Sequence, residues 1–265
     1  MTNAPRGRVT QRRIAETVAA ELRTRILAGT EDYRLPTQDQ LVKDFGVSYP
    51  SVREALRILE TEGLVTVRRG NVGGAEVHRP DEWSAAYHLG LALQGARVTL
   101  GDLAASLRML EPLCAAECAR REDRAETVVP ALTANIEASL AVVGDGVAFT
   151  QTAREFHELV VEHTPTATVR YVIRSLVTLW SAQEEAWAER ITRRGGYPSE
   201  AEAQEAVRTH RRIAQKIAAG RATEAERLYR KHLVATQAIV LDRFDDGIVN
   251  ASSAMQALRG QRSQL

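Results

Sequence analysis

The chain has 265 residues, 44% of them hydrophobic and 26% charged, which is enough apolar material for two ordinary cores and excludes a wholly disordered polymer. A net charge of +1 excludes a uniformly basic nucleic-acid coat, but the charge is uneven: residues 1–80 carry 13 Lys/Arg against 10 Asp/Glu, and residues 81–265 carry 22 against 24. The first 13 residues hold Arg6, Arg8, Arg12 and Arg13 and no acid, a basic arm suited to a polyanion. No apolar run follows that arm, and no stretch elsewhere is long enough to span a bilayer, so the expected location is cytoplasmic, with no membrane partner. Cys114 and Cys118, four apart in a helical pattern, are expected to be small buried thiols rather than a disulfide.

In chain order, Ile14, Val18, Leu22 and Ile26 recur every four residues and predict a helix over Thr10–Leu27, stopped by Gly29. Thr37-Gln38-Asp39-Gln40 has the form of a capping box opening a second helix that buries Leu41 and Phe45 and ends at Gly46. Ser48 is a natural cap for a third helix, with Pro50 in its first turn and Val52, Leu56 and Leu59 as its apolar stripe. Leu64–Val67 and Ala75–Val77, about the turn Gly70–Gly74, read as a β-hairpin. Pro80 marks a boundary. Beyond it the periodicity predicts seven helices near 82–95, 100–121, 125–142, 147–163, 167–193, 199–218 and 222–244, then a frayed Ser/Gln/Arg-rich tail. The expected fold is mainly α. A winged helix-turn-helix of three helices and a hairpin occupies 1–79, an all-α seven-helix bundle occupies 80–247, and a disordered tail covers 248–265.

Two short helices joined through Phe45-Gly46-Val47-Ser48 can present the second to a major groove with its N-terminus foremost. Its first turns offer Tyr49, Ser51, Arg53 and Arg57, and Arg53 brings a forked donor to guanine edges and phosphates. Thr37, Ser48 and Ser51 can give hydroxyls to phosphate. Arg68 and Arg69 beside the small tip, with Gly70, Asn71 and Gly73, can approach the backbone and the minor groove. The expected partner is double-stranded operator DNA. A dimer is expected too, because one head makes too few base contacts for specificity.

These blocks resemble the GntR family of winged-helix regulators: Leu35-Pro36-Thr37-Gln38-Asp39-Gln40-Leu41, Phe45-Gly46-Val47-Ser48, Val52-Arg53-Glu54-Ala55-Leu56 and Leu59–Val65. The resemblance implies that Arg53 contacts operator DNA. Two positions depart from the family pattern: Tyr49 stands where an arginine is usual, and Asp39-Gln40 where Arg-Glu or Glu-Glu is common. The rest of the chain resembles the FadR-like branch with an FCD ligand-binding domain, through Leu107-Arg108-Met109-Leu110-Glu111, Glu155-Phe156-His157, and His210 with Ile213, Ile217–Gly220 and His232-Leu233. The likeness implies that Arg108 faces an effector pocket and that effector binding releases DNA. It also implies a transcription regulator, a repressor in its usual sense, rather than an enzyme.

The histidines carry a reading of their own. His157, His210 and His232 each fall on an interior stripe, with Ala153, Val160 and Thr164; with Val207, Ile213 and Ile217; and with Leu228, Ala235 and Ile239. His210 precedes Gly220 by ten residues and His232 follows it by twelve, so in a helical hairpin both stand about 15–18 Å from the turn, at similar height. Singly, each is more often a hydrogen-bonded core residue. Together they suit a divalent transition metal, Zn or Ni. The branch usually places an Asp four residues before the first of them, where this chain has Ala153. That leaves a site completed by water or by the carboxylate of a small organic acid, or else a metal-free pocket in which the three histidines bind the acid directly. Arg108, if partly buried, needs an anion, either the effector or an acid of the chain such as Glu111. The rival functions are a metal-dependent enzyme built on the three histidines and a DNA-binding protein that senses nothing. His78, His88 and His163 read as ordinary structural residues.

Overall fold

The computed structural model describes residues 6–31, 33–67, 74–80, 82–192, 198–242 and 247–252, without the side chains of 6–11, 82–83 and 186–192. The chain divides after Asp81 into two compact units.

In the first unit, α1 (Arg6–Ala28), α2 (Gln38–Phe45) and α3 (Tyr49–Thr61) precede β1 (Val65–Val67) and β2 (Ala75–Val77). Helix α1 begins four residues before the expected Thr10, so the arginine arm continues a helix. Its buried face is Ala15, Val18, Ala19, Leu22 and Ile26, while Ile14 is 38% exposed. These side chains pack on Leu41, Val52, Leu56 and Leu59 in a core of their own. The capping box is present in full: Thr37 Oγ1 accepts from the Gln40 amide, and Gln40 Oε1 accepts from the Thr37 amide. Gly46 ends α2 at φ +61, a conformation that a side chain would strain, and this turns the chain directly into α3. The strands pair antiparallel with Val65 opposite Val77 and Val67 opposite Ala75.

The second unit is helical: α4 (Glu82–Gly95), α5 (Leu100–Arg120), α6 (Val128–Ala141), α7 (Gly146–Glu162), α8 (Ala167–Thr192), α9 (Glu200–Ala218) and α10 (Ala222–Leu241), with a 3-10 turn at Glu122–Ala125. Helix α5 lies at the centre, packed on α7, α8, α9 and α10. It carries Pro112 in its interior. Proline has no N–H, so the carbonyl of Arg108 one turn earlier loses its helical donor. Arg230 of α10 supplies the replacement, at 2.7 Å. Gly220 (φ +69) closes the α9–α10 hairpin, as its position between the paired histidine helices predicts.

Three expectations need correction. Composition predicts a disordered tail over 248–265, yet residues 247–252 are docked: Leu100 donates to the Gly247 carbonyl, Val249 donates to the Val98 carbonyl, and Val249 and Ala251 are fully buried. Their short apolar residues fill a gap that helical periodicity cannot reveal. On α10 the buried stripe is Tyr229, His232, Leu233 and Val240, so Ala235, expected inside, faces out. Ser51 of α3, expected on the exposed face, is 2% exposed and shares a 3.0 Å hydrogen bond with Ser48.

Candidate functional site

The strongest cluster lies in the second unit. Phe156 and His157 come from α7, His210 from α9, and Tyr229 and His232 from α10. His210 Nε2 lies 2.9 Å from His232 Nε2. One ligand nitrogen from each of His157, His210 and His232 falls within 4.8 Å of the other two. The Phe156 ring stacks on His210 at 3.9 Å and 6°, which fixes the imidazole plane. His157 is held from behind: its Nδ1 is 2.7 Å from Glu111 Oε1 and 2.8 Å from the Tyr229 hydroxyl, and that hydroxyl donates to the same carboxylate oxygen at 2.5 Å. A carboxylate only accepts, so it is Nδ1–H that donates to Glu111, and this bond orients the ring.

Burial sets the charge state. Desolvation, reinforced by His232 and His157, pulls His210 well below the usual imidazole range, and burial with His157 takes His232 down to about 3. Both rings are therefore neutral at pH 7, the state that binds a metal. The Tyr229 hydroxyl is pushed well up by burial and by Glu111, so it remains a donor.

Glu111, His157, His210 and His232 line one end of a cavity of about 100 Å³. Leu107, Phe149, Val177, Trp180 and Val240 make its apolar wall, and Ala153 and Arg154 of α7 also face it. Ala153 leaves no fourth ligand on the His157 face. Arg108, expected to face the pocket, is not part of this wall. It donates to Gln237 Oε1 at 3.0 Å, and Gln237 lines the cavity. The expected alternative partner, Glu111, is engaged by His157 and Tyr229 instead. Sequence reading missed Glu111, Arg154, Trp180 and Gln237 as wall residues and Tyr229 as the support behind His157. Of these, Glu111 and Tyr229 carried a signal, standing four residues after Leu107 and three before His232. Cys114 and Cys118 are free and buried, with thiols raised to about 12 by burial, hence unreactive. His163 caps α7 and bonds the Leu159 carbonyl, and His78 bonds Thr66.

In the first unit the exposed start of α3 carries Tyr49, Arg53 and Arg57. Tyr49 donates to Asp39 Oδ1 at 3.1 Å, so the two departures from the family pattern are partners of each other. Arg57 pairs with Glu54 at 2.8 Å, whereas among the described residues no carboxylate pairs with Arg53. The Thr37 hydroxyl is committed to the cap. Arg68, Arg69, Gly70, Asn71 and Gly73 lie outside the described residues, as do the side chains of Arg6 and Arg8.

Comparison with known proteins bears on both units. The family described as bacterial regulatory proteins of the gntR family matches residues 14–73, and the FCD domain matches residues 102–235. The chain belongs to the GntR family, in the group that carries an FCD domain. This is a family of regulators rather than enzymes, which removes the metalloenzyme rival. Two curated relatives are 42% identical over 66 residues: the HTH-type regulator Mce2R of Mycobacterium tuberculosis and the uncharacterized HTH-type regulator Mb0601 of Mycobacterium bovis. The match spans 24% of this chain and 28% of each relative, about a quarter of either. A Streptococcus agalactiae GntR structure shares the fold, with a TM-score of 0.62 and 19% identity over 84% of this chain and 98% of that one. Among the described residues no helix is long and apolar enough to cross a membrane.

Proposed function

We propose that this GntR regulator binds operator DNA as a homodimer and that a transition metal with a small organic acid, held in the helical domain, controls that binding. The observation that carries the reading is the trio His157, His210 and His232, two of them buried and neutral, whose ligand nitrogens converge with no carboxylate in the same cluster among the described residues. The donor set fits Zn or Ni. Metal–nitrogen bonds are about 2.0–2.1 Å, so a single ion would require the three nitrogens, now within 4.8 Å of one another, to adjust their spacing. His157, His210 and His232 would hold the ion, Glu111 and Tyr229 would orient His157, and the ion would supply a Lewis-acidic position for an anionic oxygen. The volume suits a small effector: an engineered cavity of about 150 Å³ admits benzene, so an acid of a few carbons fits within about 100 Å³.

On the DNA side the reading places Arg53 against bases or phosphates, with Tyr49, Ser48, Thr37 and Arg57 at the rim. Ser51 is withdrawn, since its hydroxyl is buried. An effector acts only by binding the DNA-competent and DNA-incompetent states unequally. The two domains are proposed to meet at the boundary near Pro80. Metal content per chain, measured by mass spectrometry on tag-free protein purified without chelator, tests the site. Stoichiometric zinc or nickel is expected in the wild type and loss of it in the His157→Ala/His210→Ala/His232→Ala variant; a metal-free wild type contradicts the reading.

A further inference from the structure

The cavity wall carries the carboxylates Glu111, Glu184 and Glu202, yet two of its donors are poorly satisfied, and those two identify what a ligand must bring. Arg154 lines the cavity one helical turn before His157, with its side chain only 14% exposed. A guanidinium has five N–H donors. Those of Arg154 have one long hydrogen bond, to the Ser181 carbonyl at 3.4 Å, and one distant carboxylate, exposed Glu185 at 3.9 Å. Glu158, on the next turn, feels the charge of Arg154 only as a secondary influence on a carboxyl that burial pushes up. Buried cations are ordinarily paired. A second group repeats the pattern independently: Gln237 is 2% exposed and lines the same cavity. Arg108 occupies its Oε1, which fixes the amide so that Nε2 is the free end, and Nε2 has no partner.

We propose that Arg154, not Arg108, is the anion clamp of the effector site, that Gln237 Nε2 donates to a further oxygen of the same ligand, and that Arg108 positions Gln237. The ligand is a small oxy-acid whose carboxylate spans from the histidine cluster to the Arg154 fork. This deepens the proposed function by naming the recognising groups; the clamp itself stands with or without the metal.

The test uses the full-length protein with acetate and glycolate as probes in chloride buffer, read by thermal melting. A largely desolvated and poorly paired charge costs stability until a better partner arrives, and removing it in favour of an apolar chain of similar length relieves that cost. Arg154→Met is therefore expected to melt higher than wild type without acid and to lose the stabilisation that acetate or glycolate gives the wild type. Gln237→Leu is expected to keep part of the response, and Arg208→Met, an exposed control, to keep all of it. A lower melting temperature for Arg154→Met without acid marks a merely structural arginine and overturns the clamp. So does a response to either acid that survives the substitution, or a wild type that responds to neither. Zinc content measured on the same samples separates the outcomes: absent zinc contradicts the metal reading and leaves the clamp standing or falling on the melts.

Discussion

The two units present their candidate residues in opposite ways. In the winged head they stand on an exposed helix start, and most are already partnered: Tyr49 with Asp39, Arg57 with Glu54, Ser48 with Ser51. Of the two arginines on that helix, Arg57 has a carboxylate partner and Arg53 has none among the described residues, which is what the proposed contact with a phosphate or a guanine would use. In the helical domain they are buried or half-buried, and two donors are poorly satisfied: Arg154, with one 3.4 Å hydrogen bond to a carbonyl, and the Gln237 amide nitrogen, with no partner. A surface that meets a large polyanion can stay internally paired and exchange partners on contact. A cavity that meets a small anion keeps its donors unpaired and spends stability to do so.

Substitutions can break that contrast. The largest effect is expected at Phe156, whose fully buried ring stacks on His210: Phe156→Ala should destabilise the helical domain by about 3–5 kcal/mol in chemical denaturation, with operator affinity at a temperature where the domain remains folded reduced far less than by any change at Arg53. Next comes pH. His210 and His232 have folded values below the unfolded value of about 6.5, so the unfolded chain takes up protons first as pH falls. Stability is full above about pH 6.5 and is lost below it, towards the folded value of about 3 for His232, by up to about 1.4 kcal/mol per pH unit for each ring. Denaturation midpoints between pH 8 and 5 should show this slope, and the double variant His210→Gln/His232→Gln should flatten it.

Arg53→Ala comes third: about 1–3 kcal/mol of operator affinity with no change in unfolding midpoint, read by fluorescence anisotropy. Arg57→Ala beside it should cost less, since its charge is already shared with Glu54. The smallest effect is the cap. Thr37→Ala should lower the stability of the head by about 1 kcal/mol without altering the helical domain, because the capping box satisfies amides at the start of α2 alone.

The same contrast explains what was legible in the sequence. Helix starts, the glycine at the helix-turn-helix corner and the pairing of His210 with His232 across Gly220 all follow from local rules of capping, φ and rise per residue. The cavity wall does not. That Arg108 faces Gln237 depends on α10 packing against α5 around Pro112, and that Glu111 orients His157 depends on α5 meeting α7. Both contacts join residues far apart in the chain, so periodicity places each side chain inside without naming its partner. The docking of Val249 and Ala251 escaped for the same reason, while buried Ser51 escaped because a serine gives no apolar signal on a helical stripe.

Control of the DNA-binding head by the histidine cavity, as proposed, would be read in anisotropy titrations of a duplex selected from a random library, using wild type and the three-histidine variant, each with and without zinc plus glycolate. Zinc with glycolate is expected to change the dissociation constant of the wild type several-fold and to leave the variant unmoved. Equal affinity for the wild type under both conditions, with zinc shown to be bound, would contradict it.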